Sequence, residues 1–84
     1  MPTADEFRSE VGAILRAAEL QGLQFVDINA GELHRKLGGY PGGNHQMPNC
    51  CQVMEQERRV LDEIISSPPS GKGASLTVRY RLPR

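Results

Sequence analysis

Apolar residues recur at helical spacing near the start of the chain. Phe7, Val11, Ile14, Leu15 and Ala18 lie at i, i+4, i+7, i+8 and i+11, which aligns them on one face at 3.6 residues per turn. Ahead of them, Thr3-Ala4-Asp5-Glu6 has the spacing of a capping box: the threonine hydroxyl accepts from the backbone at Glu6 and the glutamate reaches back. Gly22 supplies a left-handed residue to end the helix, which is expected over about residues 4–21. The pattern then shortens. Leu23 to Ile28 is rich in β-branched and aromatic residues, with Val26 and Ile28 on one side of an extended strand. Asn29-Ala30-Gly31-Glu32 repeats the capping logic, and Leu33 and Leu37 give one apolar stripe before Gly38-Gly39, a helix of about two turns.

The stretch from Gly38 to Gln46 reads GGYPGGNHQ and excludes regular structure. Pro48 fits the first position of a third helix, where its missing N–H costs nothing. That helix is expected from Pro48 to Arg58 or Arg59, with Cys51, Met54 and either Val53 or Cys50 turned inward. Leu61 to Ile65 leads into Ser66-Ser-Pro-Pro-Ser-Gly-Lys-Gly73. From Ala74 to Leu82 the alternation is strict, with Leu76, Val78, Tyr80 and Leu82 on one face and Thr77, Arg79 and Arg81 on the other. Two extended runs joined by a Pro/Gly/Ser/Lys segment predict a β-hairpin with a long solvated tip.

Helix, short strand, short helix, loop, helix, strand, tip, strand is an order that resembles the winged-helix class of helix-turn-helix domains. The residues that carry the likeness are Phe25–Ile28 ahead of Asn29–Leu33, the Pro48–Arg59 helix in the recognition-helix place, and Ser66–Leu82 as the wing. The resemblance covers nearly the whole chain and implies one α+β domain over residues 1–84: three helices, a short strand and a C-terminal β-hairpin wing. It also implies duplex DNA as the partner, with the third helix in a major groove and the wing on phosphates or in the minor groove. Carried over by position, the contact residues are Asn49, Gln52, Gln56 and Arg59 on the helix, with Lys72, Arg79 and Arg81 on the wing. Asn and Gln pair with adenine edges, and Lys and Arg neutralise phosphates. The connection between the second and third helices is longer and richer in glycine than the usual three- or four-residue turn, and Glu55 and Glu57 put negative charge on or near the reading helix.

Charge sharpens this expectation. The 84 residues hold 10 Lys and Arg against 10 Asp and Glu, which by itself argues against a strongly basic polyanion binder. The zero hides a division: residues 1–33 carry six carboxylates against two bases (net −4), and residues 34–84 carry eight bases against four carboxylates (net +4). A cationic ribbon beside the third helix, with its Lys and Arg on one exposed side, is therefore what the DNA reading requires. A protein-interaction module of the same fold is the rival reading, favoured by the zero net charge and the glutamates. With 38% hydrophobic and 24% charged residues the chain is expected to fold, although a domain of this size buries only about 60% of the surface its unfolded chain exposes. No apolar run approaches the length of a membrane span, so no membrane partner is expected. The acidic start and the adjacent Cys50 and Cys51, which cannot staple distant segments, fit a reducing, cytoplasmic setting.

The remaining chemistry lies between Gly42 and Cys51. Gly42, Gly43, Asn44 and His45 precede a helix N-terminus and form a candidate anion-binding loop, although no Gly-Lys-Ser/Thr follows as in a P-loop; a plain connection is the alternative. Cys50 in the first turn of a helix, where the dipole lowers a thiol pKa, could pair with His45 as a nucleophile, but no orienting Asp or Asn is assignable. His34, His45, Cys50 and Cys51 could number four metal ligands, but they lack the separated Cys-x-x-Cys spacing of a zinc site. No catalytic residue, metal or cofactor is assigned. His34 is expected at the surface of the second helix beside Arg35 and Lys36. Arg58 and Arg59 read more often as a solvated helix end than as a binding patch, and Arg79 and Arg81 also read as guards of an exposed strand.

Overall fold

The computed structural model describes residues 3–38, 47–68 and 73–83. Three helices, α1 (Ala4–Leu20), α2 (Ala30–Leu37) and α3 (Met47–Gln56), accompany three strands, β1 (Phe25–Asn29), β2 (Glu63–Ser66) and β3 (Thr77–Arg81). The strands form one antiparallel sheet in the order β1-β3-β2.

Local chemistry sets the element ends. The capping box forms at α1: the Glu6 N–H donates to Thr3 Oγ1 at 3.2 Å, and the Thr3 N–H donates to Glu6 Oε1 at 3.0 Å. Gly22 follows the helix with φ 78°, the left-handed conformation that costs glycine nothing. Asn29 serves two elements at once. As the last residue of β1 it lies opposite Thr77 and donates from Nδ2 to Thr77 Oγ1 at 3.0 Å, while its Oδ1 caps α2 by accepting from the Glu32 N–H at 3.0 Å. The opening N–H groups of α2 are satisfied by the chain leading into β3, Ala30 donating to Leu76 O at 2.8 Å and Gly31 to Ala74 O at 3.0 Å. That approach leaves no room for a side chain at residue 31, where a Cβ would lie 3.1 Å from the Ala74 Cβ.

The third helix starts one residue before the expected Pro48 and ends short of Arg58. Met47 is buried and drawn into the helix by packing. At the other end the chain turns, the Arg58 N–H donating to Glu55 O, and the Asp62 carboxylate takes over the next donors: Arg59 N–H to Oδ2 at 2.6 Å and Arg81 N–H to Oδ1 at 2.7 Å. The ribbon strands are shorter than the sequence pattern, and β2 carries a bulge between Ile64 and Ser66, an irregularity that no residue pattern announces.

The core lies between the sheet and the helices. Phe7, Val11, Ile28, Leu33, Cys50, Cys51, Met54, Leu76, Val78 and Tyr80 are all buried in it. The Tyr80 hydroxyl donates to Met54 O at 2.7 Å, satisfying one of the last-turn carbonyls of α3 that have no partner within the helix. His34 corrects the expectation of a surface residue: it is fully buried, its ring stands edge-on to Phe7 with centroids 5.0 Å apart, and Nδ1 donates to Gly38 O at 3.1 Å. Because α2 packs against both α1 and α3, the position after Leu33 also meets protein.

Candidate nucleic-acid interface

Helix α3 has two sharply different sides. Met47, Cys50, Cys51, Val53 and Met54 are buried, and Pro48, Asn49, Gln52, Glu55 and Gln56 are exposed. Asn49, Gln52 and Gln56, at i, i+3 and i+7, share the outward side. Gln56 is engaged there: its Oε1 accepts from Arg8 Nη2 at 3.0 Å, and Arg8 also pairs with Asp5 at 2.9 Å and Glu57 at 3.7 Å. Arg58 and Arg59 follow the helix and are exposed.

The ribbon distributes its cations differently from the sequence expectation. Leu76, Val78, Tyr80 and Leu82 point into the core that holds α3, so the alternating Thr77, Arg79 and Arg81 belong to the opposite, solvent face of the sheet. Arg79 grips Asp27 with both arms of its guanidinium, Nε to Oδ1 at 2.8 Å and Nη2 to Oδ2 at 3.1 Å, and lies 4.2 Å over the Phe25 ring. These hydrogen bonds hold the Asp27 carboxyl below its ordinary range. Arg81 Nη2 pairs with Glu63 Oε1 at 2.8 Å. Arg79 and Arg81 are thus each paired with a neighbouring carboxylate, and a one-sided cationic ribbon does not form from them. Asp62 joins the two segments by accepting from the backbone N–H groups of Arg59 and Arg81. Lys72 and the loop residues Gly42, Gly43, Asn44 and His45 lie outside the described residues.

The thiol chemistry is settled by burial. Cys50 is fully buried, its Sγ donates to Ala30 O at 3.6 Å, and desolvation with the neighbouring Cys51 pushes its pKa up to about 12. The helix-dipole lowering weighed from the sequence is overridden, and the thiol stays protonated at neutral pH. Cys51 donates to Gly73 O at 3.4 Å. Among the described residues no three of His, Cys, Asp and Glu stand together as metal ligands, and no helix is long and apolar enough to cross a membrane.

Two contributors escaped the sequence reading. Asp62 appears in the sequence as one charge among many, and only its burial and its two N–H donors mark it as a joint between α3 and the ribbon. Phe25 reads from the sequence only as part of a strand, and its place under Arg79 depends on the pairing of Asp27 with Arg79 across β1 and β3. Comparison with protein-family models, curated proteins and solved structures gives no significant match.

Proposed function

We propose that the chain is a winged-helix module that binds duplex nucleic acid, presenting α3 to a groove and the β2–β3 connection to the backbone beside it. The observation that carries the reading is the outward row of amides at Asn49 and Gln52 on a helix that directly precedes a two-stranded ribbon, with a sheet order of β1-β3-β2. The oxygen and NH2 of a single such amide match the donor and acceptor pair on an adenine edge. Arg58 and Arg59, exposed just past α3, supply phosphate contacts. Arg79 and Arg81 lie on the far face of the sheet in ion pairs, so the one-sided cationic ribbon expected from the sequence does not support this reading, which rests on α3 and the arginines that follow it.

Fluorescence anisotropy with a labelled duplex tests the reading. Binding is expected at low salt and weakens as salt rises. Replacing Arg58 and Arg59 together by Gln lowers affinity for every duplex and reduces the slope of log affinity against log salt by about two. Gln52→Ala instead changes the preference among sequences. Absence of binding to any duplex at about 20 mM salt overturns the proposal.

A protein-docking role for the same fold is the second reading, favoured by Val60 at 97% and Leu61 at 73% exposure on the turn between α3 and β2, since adjacent exposed large apolar side chains mark contact surfaces. Under the nucleic-acid reading, Val60→Ser with Leu61→Ser leaves duplex affinity unchanged.

A further inference from the structure

The sheet order leaves β1 with β3 on one side and, among the described residues, no strand on the other. Its hydrogen-bond phase shows which groups face outward. Leu82 N–H donates to Gln24 O and Ala30 N–H to Leu76 O, in the same register that pairs Phe25 with Arg81 and Asn29 with Thr77. Because bonded and non-bonded pairs alternate along an antiparallel ladder, Gln24, Val26, Ile28 and Ala30 spend their backbone groups on β3. Phe25 and Asp27 turn both N–H and C=O toward the open edge, and Asn29 turns its N–H there.

Beside that edge runs a groove between α1, β1 and α2, made of two hollows that share Ile14 and Lys36. The first is lined by the apolar side chains of Ala17, Leu23 and Val26, and the second by Asp27, Glu32 and Leu33. The charges along it are mostly consumed: Lys36 Nζ holds Glu10 at 2.7 Å, and Asp27 holds Arg79. Glu32 is exposed at the far end and, among the described residues, its carboxylate has no counter-ion.

We infer that this edge and groove receive an extended peptide of another polypeptide, added to the sheet as a fourth strand beside β1. Open backbone donors and acceptors supply the main-chain bonds, and the hollows read alternate side chains, the division of labour in strand-addition complexes. The chemistry of the occupant follows from the lining. One inward residue is aliphatic, for the hollow at Ala17, Leu23 and Val26. Another, two positions away and about 7 Å along the strand, is basic, for Glu32. No residue of α3 lines the groove, so this site and the nucleic-acid surface operate independently.

Titration of the 15N-labelled chain with the capped pentapeptide Thr-Val-Thr-Lys-Thr, whose Val and Lys share one face two positions apart, and with its Thr-Val-Thr-Glu-Thr counterpart, tests the inference. Amide shifts are expected at Phe25, Asp27 and Asn29 and along the groove at Ala17 and Lys36, with slowed hydrogen exchange at Phe25 and Asp27. The acidic peptide binds at least about fivefold more weakly, and Ala17→Arg, at an exposed position, reduces affinity for the basic peptide by a similar factor. Equal affinity for both peptides, shifts centred on β2, or no shift at about 1 mM peptide overturns it, as does concentration-dependent dimerisation that occupies the β1 edge with a second copy. Arg58→Gln with Arg59→Gln leaves the peptide shifts intact, so failure here and failure of duplex binding are separate outcomes.

Discussion

At Cys50 two influences oppose each other: the first turns of a helix favour a thiolate, and burial disfavours it. Burial wins, and the pKa rises from 9.0 to about 12. Iodoacetamide should therefore modify the native chain at pH 7 far more slowly than the unfolded chain, as mass spectrometry of quenched samples will read. The same shift sets the alkaline limb of stability. Below pH 9 the thiol is protonated in both states; between 9 and about 12 the unfolded chain releases the proton and the folded chain retains it, so stability falls across that window. Cys50→Ala lowers overall stability by opening a cavity but removes this slope from a plot of urea midpoint against pH. Inward packing was legible at Cys51 and Met54 from helical spacing, which left Val53 and Cys50 as alternatives; both are buried. The burial of His34 was not legible, since two turns of helix define one apolar stripe and say nothing about packing on both flanks.

At the scale of elements, the ends that rest on local chemistry were readable and those that rest on packing were not. Thr3 with Glu6 and Asn29 with Glu32 announce the starts of α1 and α2, and the alternation from Leu76 to Leu82 announces β3. Met47, buried at the start of α3, and Asp62, which receives the Arg59 N–H after the helix has ended at Gln56, carry no such signal in the sequence. Gly31 shows how closely two elements approach: α2 meets the chain entering β3 through a 3.0 Å backbone bond, and a methyl group there would press on Ala74. Gly31→Ala, although alanine favours helices, should destabilise the chain by about 1–3 kcal/mol, read as a lower midpoint in urea. An unchanged or raised midpoint would show that the approach of α2 to residue 74 is looser than described.

For the whole molecule, the opposed charges of the two halves of the sequence become neighbours in space. Lys36 meets Glu10, Arg79 meets Asp27 and Arg81 meets Glu63, so three of the cations read from the C-terminal part are compensated by carboxylates within the fold. Candidate contact residues could be found by type and spacing along α3, but which ribbon arginines remained available could not, because Asp27 and Arg79 lie 52 positions apart and meet only through strand pairing. Arg79 holds the Asp27 carboxyl below its ordinary 3.8. The pair therefore contributes stability above that pH and loses it as pH falls through the lowered value. With both partners part-exposed, Asp27→Asn should cost less than about 1 kcal/mol at neutral pH and shallow the acid limb below about pH 4 in a thermal-melt series. The clasp of Asp62 on Arg59 and Arg81 has a mechanical consequence. One carboxylate takes an N–H from the exit of α3 and another from the end of β3, so helix and ribbon are tied together as the chain folds, and that much ordering is already done before any ligand touching both would dock.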